Sequence, residues 1–270
     1  MKYSVCNEMF EGWQIQDVFK VASELGFNGV EISPFTLSDS VLEISSAQRE
    51  RIRGLAKSYG IEIVGLHWLL VKPTGLYINH PDEGIRQRTL AYFKDLISFC
   101  SDLGGKIMVF GSPKQRDVVD KESYEETWRR TKDFFLRCLP KAEDEGITIC
   151  FEPLAPTETN FINTVDEAIK LIEEVGHPNF KLILDVKAMS SEGRPLKEII
   201  MRGAKYLRHF HANDDNGKTP GWGKADYKGI SEALKDVGYD GFLSIEVFDF
   251  KPDPVIIARS GLEYLKNFFG

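Results

Sequence analysis

Eight short apolar runs, each followed by a longer amphipathic stretch, fill the 270 residues from end to end. The strand patterns fall at Lys2–Cys6, Gly29–Ile32, Glu62–Leu66, Lys106–Phe110, Thr148–Phe151, Lys181–Leu184, Tyr206–Phe210 and Gly241–Ile245. Between them, apolar residues recur at three- and four-residue spacing over Ile15–Leu25, Ala47–Tyr59, Arg86–Leu103, Ser123–Glu145, Val165–Val175, Leu196–Gly203, Gly229–Val237 and Pro254–Phe268, which predicts helices. A strand followed by a helix must pair in parallel with the next strand, because the helix carries the chain back over the sheet. Eight such units in this length predict an α/β fold, a single (β/α)8 TIM barrel over residues 1–270. An open doubly wound sheet is the competitor. It usually carries a glycine-rich nucleotide loop after its first strand, which Cys6-Asn7-Glu8-Met9-Phe10-Glu11-Gly12-Trp13 does not supply.

The junctions agree with this reading. Gly26, Gly60, Gly146 and Gly238 each stand between a helix pattern and a strand pattern, where a left-handed helix end favours a residue without a Cβ. Thr164 and Glu167 have the spacing of a capping box.

Hydrophobic residues make up 42% and charged residues 28%, with a formal net charge of −7. That balance speaks against a partner that is nucleic acid or an acidic membrane surface, since such proteins carry a basic footprint. Cys6, Cys100, Cys138 and Cys150 lack CxxC spacing and sit in apolar contexts, so they read as reduced core residues of a cytoplasmic protein. No apolar run reaches membrane-spanning length and no leader pattern is present at Met1.

The chemistry lies in the second half. Glu152, Asp185, His211 and Glu246 each close one of the last four apolar strand patterns. A lone buried acid is ordinarily half of a salt bridge. Four at matching strand ends, on the barrel face that carries active sites, point to one shared ion. Three carboxylates and one imidazole suit a single divalent cation, with Mn²⁺ first and Mg²⁺, Co²⁺ or Zn²⁺ as alternatives.

The order Glu, Asp, His, Glu on strands five to eight resembles the xylose isomerase-like barrels. More narrowly, it resembles the sugar phosphate isomerase and epimerase group that contains the D-tagatose and D-psicose 3-epimerases. The similarity is sharpest in Phe151-Glu152-Pro153-Leu154, Leu184-Asp185, His209-Phe210-His211-Ala212-Asn213-Asp214 and Ser244-Ile245-Glu246-Val247. It implies that the four residues hold one metal and that Glu152 and Glu246 are also the acid/base pair. In that chemistry the metal polarises a carbonyl and its neighbouring hydroxyl, and the two glutamates move a proton through an enediolate. The expected activity is therefore isomerisation or epimerisation of a sugar or keto-sugar derivative. The alternative expectation is a metal-dependent lyase or dehydratase on a keto-sugar, inosose or oxidised glycoside. A nuclease like endonuclease IV is remote, because that needs several strand-end histidines and a basic face, and only five histidines are present.

Other residues are expected near the carbohydrate substrate. The resemblance places His67 and Glu158 there, and Trp13, Trp68 and Trp222 offer apolar walls for a sugar face. Ser112 follows strand four and Lys187 follows Asp185. Asn213 and Asp214 are expected to orient the ligand histidine. The group usually has a histidine three residues beyond the strand-six aspartate and an arginine after strand seven. Here those places hold Ala188 and Asn216-Gly217-Lys218. These departures leave the metal chemistry intact and widen the substrate set beyond free ketohexoses. A homodimer or homotetramer, with Leu262–Phe269 contributing contacts, is the expected assembly.

Overall fold

The computed structural model describes all of residues 1–270. Strands β1 (Lys2–Cys6), β2 (Gly29–Ile32), β3 (Glu62–Leu66), β4 (Ile107–Phe110), β5 (Thr148–Phe151), β6 (Phe180–Asp185), β7 (Leu207–Ala212) and β8 (Phe242–Ile245) pair in parallel in sequence order. Pairing of β8 with β1 closes a (β/α)8 barrel. Around it lie α1 (Ile15–Leu25), α2 (Ser46–Ser58), α3 (Glu83–Leu103), α4 (Tyr124–Asp144), α5 (Val165–Val175), α6 (Val186–Ser190), α7 (Leu196–Gly203), α8 (Tyr227–Asp236) and α9 (Pro254–Phe269).

The sequence pattern located each strand to within two residues at either end. Strands β6 and β7 run further than their apolar runs, through Asp185 and past His211, because both polar residues still pair across the ladder. The pattern misses α6, whose first amides are held by Asp185 itself: Ala188 N donates to Asp185 Oδ1 at 2.8 Å. Thr164 forms the expected capping box with Glu167. Gly26 ends α1 at φ +90°, a conformation any side chain would strain. Gly65 is needed for a different reason, since a Cβ there would lie 1.8 Å from the Ile107 carbonyl oxygen on the neighbouring strand. No helix is long and apolar enough to cross a membrane.

Outward-facing strand residues join the helices in one large apolar core. The barrel interior differs between its two halves. On the side of β3 to β6 it is apolar, filled by Val64, Ile107, Val109, Cys150 and Ile183. On the side of β7, β8, β1 and β2 it is polar, with His209, Ser244, Ser4 and Glu31 buried and hydrogen-bonded to one another. The four strand-end residues sit directly above this divided floor.

Candidate metal centre

Glu152 and Glu246 follow β5 and β8 by one residue, Asp185 ends β6, and His211 is the penultimate residue of β7. All four are buried, at 5%, 5%, 2% and 0% exposure. One donor atom from each lies within 4.8 Å of the others. His211 Nδ1 is 2.9 Å from Glu246 Oε2 and 3.8 Å from Glu152 Oε1. Asp185 stands beside His211 in the β6–β7 register.

Three carboxylates thus surround a single imidazole. The one buried guanidinium nearby, that of Arg116, donates to the Glu152 carbonyl oxygen at 2.6 Å and leaves the carboxylate free. The electrostatics record the imbalance. Burial, then the charges of Glu246 and Asp185, push the Glu152 carboxyl well above its ordinary range. Burial and the Glu246 charge push Asp185 up to about 7. Burial acts in the same direction on Glu246, but the His211 charge and hydrogen bond overcome it and hold that carboxyl low. His211 is raised well above its ordinary value because Glu246 and Glu31 outweigh its own burial. A divalent cation among these donors removes the repulsion, and three hard oxygens with one nitrogen are a fitting set for it.

Asp185 and His211 are held from behind, whereas the Glu152 carboxylate is not. Glu31 on β2 accepts from His211 Nε2 at 3.1 Å, from His209 Nε2 at 2.7 Å and from Ser244 Oγ at 2.8 Å. This corrects the expectation for Asn213 and Asp214. Asn213 Nδ2 donates to Asp185 Oδ2 at 2.5 Å, so it orients the aspartate. The Asp214 carboxylate takes the Gly221 and Ala225 amides and shapes the β7–α8 loop. Residues two apart on a strand share a face, but the nearest polar neighbour of Asn213 belongs to the adjacent strand. Glu31 was legible as a charge inside the apolar run Gly29–Ile32; its partner lies three strands away round the barrel. Arg116, fully buried over the Phe151 ring, is a second such residue, four positions beyond Ser112.

The space above the four ligands is lined by His67, Trp68, Ser112, Glu158 and Phe248, among others. Trp68, at φ +51°, donates from Nε1 to Glu246 Oε1 at 2.9 Å. Lys187 pairs with Glu158 at 2.6 Å and lies 4.5 Å over the Phe248 ring, forming the rim. The Ser112 hydroxyl is buried without a hydrogen-bond partner. His67 contacts Glu8 through Nε2 at 2.6 Å. Trp13 lies in a neighbouring cleft. Trp222 lies 37% exposed on the β7–α8 loop and lines neither space, because the Asp214 hydrogen bonds turn that loop back on itself.

Comparison with known proteins fits this arrangement. Residues 19–268 match the family model described as xylose isomerase-like TIM barrel. A D-psicose 3-epimerase of Ruminiclostridium cellulolyticum is 29% identical over 234 residues, covering 85% of this chain and 76% of its own. A fructoselysine 3-epimerase of Shigella flexneri is 23% identical over 257 residues, covering 92% and 91%. Among solved structures, the D-psicose 3-epimerase of Clostridium cellulolyticum H10 with D-tagatose superposes with a TM-score of 0.87 at 22% identity, over 100% of this chain and 99% of that one. The 3-keto-D-glucoside 4-epimerase of E. coli gives 0.86 at 22% identity, over 99% of each. With a family model matching nearly its whole length, the chain belongs to the xylose isomerase-like TIM barrel family.

Proposed function

We propose that this protein is a divalent-metal-dependent sugar isomerase or epimerase that moves a proton next to a carbonyl of a keto-sugar. The observation that carries the reading is the buried set of Glu152, Asp185, His211 and Glu246, with one donor atom from each within 4.8 Å of the others. Those four would hold the ion, Mn²⁺ in first place. When bound, the ion supplies electrophilic polarisation of a carbonyl and acidifies the adjoining C–H. Glu152 and Glu246 are the proton carriers. They approach the cavity from strand ends β5 and β8, on separate sides of His211, so that one takes a proton from the substrate carbon and the other returns one. Asp185, fixed by Asn213 and the Ala188 amide, serves only to hold the ion. Trp68 and Phe248 close the cavity and exclude water from the carbanion-like carbon.

The test is solvent deuterium exchange into a panel of keto-sugars and oxidised glycosides, before and after chelation and return of Mn²⁺. Metal-dependent exchange with conserved product mass is expected; loss of water or of an alcohol would make the protein a lyase instead. Glu152→Gln and Glu246→Gln should each keep the fold and lower exchange by about 10²–10⁴-fold. Full activity in either variant would remove the two-carboxylate mechanism.

A further inference from the structure

The space over the metal ligands is small, about 30 Å³, but a cleft of about 610 Å³ lies immediately beside it. Trp68 lines both. Glu8 lines the cleft and contacts His67, which lines the smaller space. The cleft is therefore the continuation of the catalytic cavity on the β1 and β2 side, with the Trp68 indole as the shared wall. Its volume lies in the range of about 300–1,000 Å³ that accommodates ligands well beyond a single monosaccharide.

The lining states what kind of group fits. Phe10, Trp13, Phe35 and Phe250 present aromatic surface, and Trp13 is 38% exposed while edge-packed on Phe10 at 5.4 Å. One exposed ring, Trp13, backed by partly or fully buried phenylalanines suits the apolar face of a sugar or aryl ring. The only charged side chains in the lining are the carboxylates Glu8 and Glu11, with no lysine, arginine or histidine. The lining therefore offers a phosphate or carboxylate no counter-charge. One buried atom at the junction, Glu8 Oε1, lacks a hydrogen-bond partner, which is the unfilled capacity a polyhydroxylated ligand satisfies.

We infer that this cleft is a second subsite, taking an uncharged sugar or aryl ring joined to the keto-sugar that reacts at the metal. The inference rests on the proposed keto-sugar chemistry and narrows its substrate to a two-ring, non-anionic compound such as an oxidised disaccharide.

The experiment titrates the Mn²⁺-loaded protein with cellobiose, methyl glucoside and glucose 6-phosphate, reading intrinsic tryptophan fluorescence. It then measures deuterium exchange into the keto derivatives of the first two. Cellobiose should bind about tenfold more tightly than methyl glucoside, and glucose 6-phosphate more weakly than either. Trp13→Ala, or Phe35→Ala in a parallel protein, should collapse the two-ring over one-ring ratio in both binding and exchange. Equal binding of one- and two-ring sugars, or a ratio untouched by both variants, overturns the subsite and leaves the proton-transfer reading standing. The expected binding pattern with no exchange into any ketone supports the subsite and overturns the proposed reaction.

Discussion

Replacing Glu31 with glutamine tests the interior from which the metal centre is built. The side chain is fully buried and its oxygens are divided: Oε1 accepts from His211, while Oε2 accepts from His209 and Ser244. Glutamine has the same shape, so no cavity opens, but one oxygen becomes an NH₂ donor. If the NH₂ faces His209 and Ser244, donors oppose donors and a buried imidazolium at His211 loses its compensating charge. If it faces His211, Nε2 must become the acceptor and the ring proton moves to Nδ1, the nitrogen that faces Glu246 and Glu152. Either arrangement spoils the ligand.

Removing one member of a buried ion pair costs about 3–5 kcal/mol. Loss of a group that orients a metal-ligating histidine weakens metal affinity about 10–100-fold. Two assays separate these effects: denaturant midpoints of the metal-free protein, and calorimetric titration with Mn²⁺. We expect both to move, and Glu31→Asp to recover less than half of either, because the shorter carboxylate cannot reach both histidines. An unchanged Mn²⁺ affinity in a folded Glu31→Gln protein would refute the claim that Glu31 sets the His211 ring, whatever happened to stability.

Two further outcomes follow from the same geometry. A Cβ at Gly111 would fall 2.2 Å from Glu152 Oε2 and touch nothing else but that carboxyl. Gly111→Ala should therefore melt within a few degrees of the parent while exchange falls about 10²-fold, as the carboxylate is pushed aside. In Gly65→Ala the clash is with backbone, and that protein should lose well over about 4 kcal/mol or fail to fold. Chelation should make stability depend on pH in a defined direction. Glu152 and Asp185 have raised folded pKa values, so the native state binds more protons than the unfolded one between about pH 4 and 7, and stability falls as pH rises. His67 and His211, also raised, contribute stability that is full below about pH 6.5 and is lost above it. Melting of the metal-free protein should thus decline from pH 5 to 8, and saturating Mn²⁺ should recover more at pH 8. A metal-free midpoint that climbs over that range would contradict the site's electrostatics.

The alternation of apolar and amphipathic runs made the barrel legible, because each strand buries both faces and each helix only one. The four strand-end residues that the fold brings together were legible for a related reason: a charge closing an apolar run has few explanations. What stayed hidden depends on closure of the barrel. Glu31 and His211 are 180 residues apart in sequence, and no local pattern sets β2 across from β7. Asn213 was read as a partner of His211 from proximity along the chain, whereas its amide reaches Asp185 on the next strand. Arg116 carries no local sequence signal, and only folding places its guanidinium on the Glu152 carbonyl.

The divided interior explains why two glutamates on equivalent strand ends differ. Glu246 rises from the polar half, where the His211 charge and hydrogen bond, with the His67 charge, keep it low in spite of burial. Glu152 rises from the apolar half, above Cys150 and beside Val109, where burial meets no hydrogen-bond donor for its carboxylate and the pKa climbs. Asp185, above Ile183, has only the Ala188 amide and Asn213 to offset the same burial. His211 stands on the border, facing the carboxylates through Nδ1 and Glu31 through Nε2. The contrast between the two proposed proton carriers therefore originates one layer below them, in the choice of serine, glutamate and histidine on one side of the barrel and aliphatic residues on the other.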